Sequence, residues 1–556
     1  MDGGIGAFWK QPHPGRHPSG VVLQAKREPA LSGAEGDLAR INTVVTLVLG
    51  GAALPALRSQ VFLNRGFSRR GTLITDALSK KKHIHLIGIC GTAMASLAGM
   101  LKQRGFQVTG SDAAAYPPMS DFLRELDIPV AQPFDAKNLD PRPDLVVVGN
   151  AMSRGNVELE YVLDQRIPFS SLPQLLHDEF LRGKEVLVVA GTHGKTTTTS
   201  MLAWIFHSAG LEPSFLIGGI AENFGSSFHL GAGKHFILEG DEYDTAFFDK
   251  GPKFLHYFPD AIILTSVEFD HADIYKDLDA VETAFKRLVN LIPRRGRIVA
   301  FDGFAGDASE SPSLDRCLAK AFCSVERYGA GPRANWKVTN LRFEPARTSW
   351  TVVHDGEPWD DLEFPLAGEY NVWNAAAAAA LAASCGVPKE AIGAALKSFK
   401  SVKRRLEVKA LVNGITIIDD FAHHPTAIAG TLKALRARYP GARLWAILEP
   451  RSNTLRRRVL QSDLARSLAQ ADEVIVAGVF RSEAVPENER LELPALAAEI
   501  EQNGRRARLF ADADGIVETI SPEMRSGDVV AILSNGGFGG IYEKLPARLR
   551  ELAGKQ

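Results

Sequence analysis

Residues 185–197 read EVLVVAGTHGKTT. The run Glu185–Ala190, apolar after its first residue, lacks polar alternation, as a strand buried on both faces of a parallel sheet does. It delivers the chain into Gly191-Thr192-His193-Gly194-Lys195-Thr196, after which Met201, Leu202, Ile205 and Ala209 recur at helical spacing until Gly210 offers a stop. Strand, glycine turn and helix N-terminus in that order collect free backbone N–H groups and the positive end of a helix dipole, an arrangement that favours phosphate. In an ATP-binding loop of this kind Lys195 neutralises the β and γ phosphates, the Thr196 hydroxyl ligates Mg2+, and Gly191, Thr192, His193, Gly194 and Thr197 complete the turn. The general phosphate loop has a glycine five positions before Gly194, but Val189 stands there, so this is a shortened variant. No NKxD-type base-reading element accompanies it, which disfavours a guanine-nucleotide switch.

The same punctuation continues in both directions. Upstream, Ile84–Ile87 meets Gly88, a helical pattern runs from Thr92 to Arg104, and Phe106–Thr109 leads to Ser111-Asp112, a βαβ opening of the doubly wound kind. Leu145–Gly149 is a further strand. Downstream, strands at Phe236–Glu239, Ala261–Thr265 and Arg297–Ala300 alternate with helical stretches such as Leu278–Leu291, and another alternation uses Gly414–Asp419, Arg443–Leu448, Glu473–Ala477 and Asp528–Leu533. The fold class is therefore α/β in three domains: Rossmann-like over 81–182, a phosphate-loop ATPase domain with a mainly parallel sheet over 183–400, and Rossmann-like again over 401–556.

With 556 residues the chain exceeds one hydrophobic core, in keeping with several domains of roughly 100–200 residues. Lys plus Arg (64) nearly balance Asp plus Glu (65), so no global basic field exists to gather nucleic acid or an anionic membrane. Cys90, Cys317, Cys323 and Cys385 show neither CxxC nor ligand-like spacing, which argues against disulfides and zinc and suits a reducing cytoplasm. The apolar run Thr43–Leu57 is broken by Gly50, Gly51 and Pro55 and falls short of the roughly 20 residues of a spanning helix. Residues 1–80 are read as a poorly ordered extension.

Two acidic segments follow candidate strands, where α/β sheets place their sites. In Glu239-Gly-Asp-Glu-Tyr-Asp244, Glu242 is paired with Thr196 as an oxygen ligand for Mg2+; in Thr265-Ser-Val-Glu-Phe-Asp-His271, His271 holds a second metal site or the transferring phosphoryl group. Asp419-Asp-Phe-Ala-His-His-Pro425 ends a strand of the third domain. Adjacent histidines point apart, so a metal site made by the pair is disfavoured against a contact with ATP across a domain cleft. Arg451, after the strand ending at Leu448, is a candidate bidentate partner for a peptide carboxylate.

GTHGKTTTT from 191, GDEYD from 240, EFDH ending at 271, GEYNVWNAAAA from 368, KRRLEV from 403 and DDFAHHPT from 419 together resemble the Mur ligase family, in order and placement, over residues 83–548. The resemblance implies an N-terminal domain for a UDP-sugar, with Gly88, Gly91, Thr92 and Asp112 at its loop, a central ATPase domain, and a C-terminal domain closing over ATP. It makes Lys195, Glu242 and His271 catalytic, places Thr196, Glu242 and His271 at metal, sets Asn371 and Asn374 beside adenine, and brings Arg405, Asp420 and His423 to ATP. Within the family, GICGTAM from 88, YPPMS from 116, EPRSNT from 449 and SNGGFGGI from 534 look like members that join L-alanyl-γ-D-glutamyl-meso-diaminopimelate, the murein tripeptide, to UDP-N-acetylmuramate. Members that add L-alanine carry a GxGGxGM loop. The implied cofactors are ATP and Mg2+ and the location is cytoplasmic; the sequence leaves the oligomeric state open, with a monomer favoured. Ser266 departs from the family, where many relatives have Asn; Lys286 lies near the position of a carbamylated lysine in some relatives, and that role is not carried over. Two readings from other classes are a dinucleotide-dependent oxidoreductase, hindered because Cys90 and Ala93 occupy the second and third glycine positions, and a nucleotide-gated UDP-sugar sensor.

Overall fold

Val186, Val188 and Ala190 enter one hydrophobic core and Leu187 and Val189 another, which is why this run carries no polar residue. Each fully buried Val or Leu contributes roughly 1.5–3 kcal/mol, so both faces of the strand stabilise the domain. The computed structural model describes residues 82–115, 119–304 and 312–554, within a unit spanning Ala77–Gln556. The expected extension at 1–80 and Tyr116-Pro117-Pro118 of the YPPMS stretch lie outside the described residues.

The first sheet has five strands ordered Val130–Ala131, Gln107–Ser111, His83–Ile87, Leu145–Val148 and Phe169–Ser171, all parallel. The order reverses on either side of His83–Ile87, so a crevice opens at its C-terminal end, above Gly88. The helix Thr92–Gln103 covers the sheet through Met94, Leu97, Met100 and Leu101 and begins at Gly91 without a side-chain cap, leaving its first N–H groups turned to that crevice.

The second sheet has ten strands. Strand Glu185–Ala190 lies between His235–Gly240 and Ala261–Leu264, and pairing stays parallel outward through Arg297–Phe301 and Ser324–Gly329. Beyond these the sheet ends in an antiparallel meander, Trp336–Phe343, Thr348–His354 and Glu357–Phe364, which the sequence reading did not resolve. The helix Lys195–Ser208 packs along Glu369–Ser384, whose alanines from Ala375 to Ala380 are all buried; their small side chains allow close approach of the two helix axes.

The third sheet has six strands, ordered Glu407–Val412, Ile415–Asp420, Val529–Leu533, Leu444–Leu448, Glu473–Ala477 and Ala507–Phe510, with only the first antiparallel to its neighbour. The connection into it is pinned to the second sheet: Lys403 N–H donates to Ile220 O at 3.0 Å, and Glu222 N–H donates to Ser401 O at 3.1 Å. Ser401, Arg404 and Leu406 all have positive φ, a strained path held by surrounding bonds. Arg404 is the chief anchor, donating to Asp419, to the Ser534 and Gly536 carbonyls and to the Tyr542 hydroxyl. This path carries Arg405 onto the phosphate loop.

Candidate active site

Two cavities lie between the central and third domains, and the first of them meets the loop. The first, about 340 Å3, is bounded at one end by Gly194, Thr196 and Thr197 and at the other by the aromatic walls Phe301, Phe304, Tyr328 and Trp373. Such a volume, polar at one end and flat and apolar at the other, suits a nucleotide. Of the residues assigned to ATP by the sequence, His193, Gly194, Thr196, Thr197, Asn371, Asn374, Arg405 and Asp420 line it. Gly194 (φ 79°) is required: a Cβ there would fall 2.4 Å from Asn374 Oδ1. Gly191 and Thr192 build the loop behind the cavity; the Thr192 hydroxyl accepts from Glu268 N–H at 2.8 Å, and the departing residue Ser266 accepts from His193 N–H at 3.1 Å through Oγ. Asp420 organises the third-domain wall, accepting from Leu406 N–H at 2.7 Å, Ala422 N–H at 2.9 Å and the Thr431 hydroxyl at 3.2 Å; burial pushes its carboxyl up.

The expected metal set divides in two. Thr196 donates its hydroxyl to Glu239 Oε1 at 3.0 Å, so the carboxylate beside the loop threonine is Glu239, not Glu242. Hard oxygen donors side by side, one of them a half-buried carboxylate, suit a cation such as Mg2+. Glu242 lies with Lys195, whose Nζ donates to its Oε1 at 3.0 Å and to Gly191 O at 2.7 Å, and with His271, whose Nε2 stands 3.3 Å from the same Oε1. Ligand atoms of Asp241, Glu242 and His271 fall within 4.8 Å of one another. Burial opposes charge on His271, but Glu242 and Asp270 hold its pKa above the ordinary value; Lys195 is likewise held up by Glu242, Asp241 and Glu239 against its burial. Lys286 is elsewhere, half exposed on the helix Leu278–Leu291 with its Nζ 3.1 Å from Glu282 Oε2.

A second histidine–carboxylate group, His193, Glu268 and His424, bridges central and third domains. His424 is fully engaged there: Nδ1 accepts from Thr426 N–H at 3.3 Å to cap the helix Pro425–Arg438, and Nε2 faces Phe269 O at 3.3 Å. Together with the Thr426 hydroxyl donating to Glu268 Oε2 at 2.7 Å, it ties the domains together.

His423, expected at ATP, points away from the first cavity and lines the second, about 370 Å3, with Tyr243, Asp270, His271, Arg451 and Asn453. Its Nδ1 faces Phe421 O at 2.9 Å and therefore carries the proton; burial pulls its pKa down to about 4, so the ring is neutral at pH 7. Arg451 reaches this cavity as expected.

In the first domain the Asp112 carboxylate accepts from Cys90 N–H at 2.8 Å, closing the loop Gly88–Gly91 in front of Thr92. Burial and Asp112 push the Cys90 thiol up to about 11, keeping it protonated. The acid that a dinucleotide-dependent enzyme would turn to a ribose is thus bonded to the loop itself.

A phosphate loop, a carboxylate beside its threonine, an acid–lysine–histidine group and a third domain reaching into both cavities define an ATP-driven ligase. Three family models account for most of the described chain: "Mur ligase family, catalytic domain" over residues 83–182, "Mur ligase middle domain" over 189–382 and "Mur ligase, glutamate ligase domain" over 404–536. The chain belongs to the Mur ligase family, whose members are ATP-dependent ligases. It is 44% identical to the UDP-N-acetylmuramate–L-alanyl-γ-D-glutamyl-meso-2,6-diaminoheptandioate ligase of Escherichia coli (strain K12) over 464 residues, 83% of this chain and 97% of that protein. It is 33% identical over 462 residues to the UDP-N-acetylmuramate–L-alanine ligase of Desulfitobacterium hafniense (strain Y51), 83% of this chain and 98% of that one. The crystal structure of a murein peptide ligase from Psychrobacter arcticus 273-4 superposes with a TM-score of 0.65 at 37% identity, covering 84% of this chain and 99% of that chain. Among the described residues no helix is long and apolar enough to cross a membrane.

Proposed function

We propose that the chain joins the L-alanyl amine of L-alanyl-γ-D-glutamyl-meso-diaminopimelate to the carboxylate of UDP-N-acetylmuramate, converting ATP to ADP and phosphate, as a cytoplasmic monomer that returns murein peptide to cell-wall synthesis. The observation that carries this reading is the 44% identity to the tripeptide ligase over 97% of its length, against 33% to the L-alanine ligase.

A carboxylate does not acylate an amine at useful rates, because oxide is a poor leaving group. The muramate carboxylate attacks the γ phosphorus of ATP, ADP leaves, and an acyl phosphate forms. Lys195 offsets charge spread over the transferring oxygens, and the loop N–H groups hold the phosphates in line. Mg2+, held by Thr196 and Glu239 with Asp241, Glu242 and His271 nearby, supplies further positive charge when bound. The peptide amine, entering from the cavity lined by His423 and Arg451, attacks the acyl carbon; the tetrahedral intermediate expels phosphate, and the amine proton passes to solvent or a neighbouring base. The ties from the third domain, Arg405 on Thr196 and Thr426 on Glu268, keep water from the intermediate.

Phosphate release measured side by side with the tripeptide and with free L-alanine, UDP-N-acetylmuramate and ATP being saturating, tests the reading. Turnover with the tripeptide is expected to exceed that with L-alanine by at least about tenfold, roughly 1.4 kcal/mol in the barrier. The reverse preference refutes the tripeptide assignment. Arg451→Ala is expected to raise the tripeptide KM about tenfold or more through loss of a bidentate carboxylate contact; an unchanged KM removes Arg451 from the peptide site.

A further inference from the structure

Arg456 and Arg481 reach the second cavity from separate loops, and neither has an ion-pair partner among the described residues. The contrast with their neighbours is instructive. Arg457 pairs with Glu489, Arg458 with Glu492 at 3.9 Å, and Arg451 with Glu449 at 3.6 Å. The two arginines left without a carboxylate both face the cavity.

Arg456 is anchored through its side chain and Arg481 through its backbone. Arg456 donates through Nη1 to Arg481 O at 3.3 Å and through Nη2 to Asn453 Oδ1, and Asn453 in turn donates to Asp273 at 2.6 Å, while Arg456 Nε is buried without a partner. Arg481 has left-handed backbone (φ 46°, ψ 51°), an uncommon conformation for an arginine and one that needs a reason at the mouth of a cavity. Its guanidinium lies 5.3 Å from the Phe480 ring centroid, and that of Arg451 lies 3.7 Å from the same ring, so one aromatic ring orders two cations. Arg451 is pressed close to the chain at Gly536, where a Cβ would lie 2.2 Å from its Nε. Burial and the neighbouring Arg457 and Arg481 lower the proton affinity of Arg456, against the opposing pull of Asp273 and Glu483, neither of which forms an ion pair with it.

Resting on the tripeptide reading above, we propose that Arg456 and Arg481 form a second carboxylate clamp, distinct from Arg451, that selects acceptors with a carboxylate remote from the reacting amine. The tripeptide carries one carboxylate on its glutamyl residue and two on its diaminopimelyl residue, whereas L-alanine has one, next to its amine. Only the longer acceptor can occupy both clamps, and the unneutralised arginines are then a feature of specificity.

The test is placed on Arg481, whose side chain makes no hydrogen bond within the described residues, because Arg456 also holds Asn453 and the loop of Arg481. R481Q, R481K and wild type are assayed with the tripeptide and with the same tripeptide amidated at both diaminopimelyl carboxylates. Expected for R481Q is a tripeptide KM raised at least about tenfold, with kcat and the KM values for ATP and UDP-N-acetylmuramate within about twofold, partial recovery in R481K, and a smaller penalty for amidation than wild type shows, the remainder belonging to Arg456 and Arg451. An unchanged tripeptide KM in R481Q, or an amidation effect of equal size in R481Q and wild type, overturns the clamp. A wild-type enzyme that ligates L-alanine and ignores the tripeptide overturns the proposed function itself, a result visible before any variant is made.

Discussion

Lys195→Ala is expected to lower phosphate release dependent on both substrates by about a thousandfold or more, roughly 4 kcal/mol in the barrier. The side chain bridges the loop carbonyl of Gly191 and the Glu242 carboxylate, so its charge stands between the phosphate turn and the acidic group. Without it, charge building on the transferring phosphoryl oxygens meets Glu239 and Glu242 with no cation on Glu242, leaving Lys253 on Asp241 and Arg405 at Thr196 as the remaining fixed positive charges. UDP-sugar binding is expected to survive, because the crevice above Gly88 belongs to a different sheet. Calorimetry with UDP-N-acetylmuramate therefore checks that the variant is folded, and phosphate release checks the chemistry. Full turnover in a folded Lys195→Ala enzyme refutes the phosphate-loop assignment.

How far the molecule could be read in advance depended on how local the signal was. Strand Glu185–Ala190 and helix Leu278–Leu291 fall on the residues expected of them, the first because both its faces are apolar, the second because its apolar stripe starts at a capping Asp277 that accepts from Ala280 N–H at 2.9 Å. The meander at 336–364 escaped because its strands are half exposed and mix Trp336, Val338, Trp350 and Val352 with charged residues at the sheet edge. In the site, sequence placed the carboxylates of 239–244 at a strand end but paired Glu242 with Thr196; the partner is set by the final residues of the strand, where Glu239 turns toward the loop and Glu242 lies past the corner beside Lys195. The histidine pair divides as its adjacency implied, His424 toward Glu268 and His423 toward the second cavity, but which member faced which substrate was set by long-range packing. Arg456 and Arg481 gave no signal, being 25 positions apart in charged segments that read as solvated surface.

The division of the acidic segment makes Glu239→Gln the sharper probe of the metal side. The substitution keeps shape: its one oxygen can accept from Gly218 N–H, which lies 2.9 Å from Glu239 Oε2, while its NH2 donates to the Thr196 hydroxyl oxygen, so the strand end should hold its form. What it removes is one negative charge from the oxygen pair beside the loop. Divalent affinity for hard oxygen sites follows ligand charge, so half-maximal activity should require a much higher Mg2+ concentration. Even at saturating metal, turnover is expected to fall about a hundredfold, roughly 2.7 kcal/mol. Glu242→Gln acts differently, since Glu242 is the shared partner of Lys195 and His271: turnover falls because Lys195 loses its counter-charge, with a smaller change in Mg2+ dependence. Titrating Mg2+ against phosphate release for both variants separates the roles. A Glu239→Gln enzyme with wild-type Mg2+ dependence beside a Glu242→Gln enzyme that needs far more metal would return the assignment to Glu242.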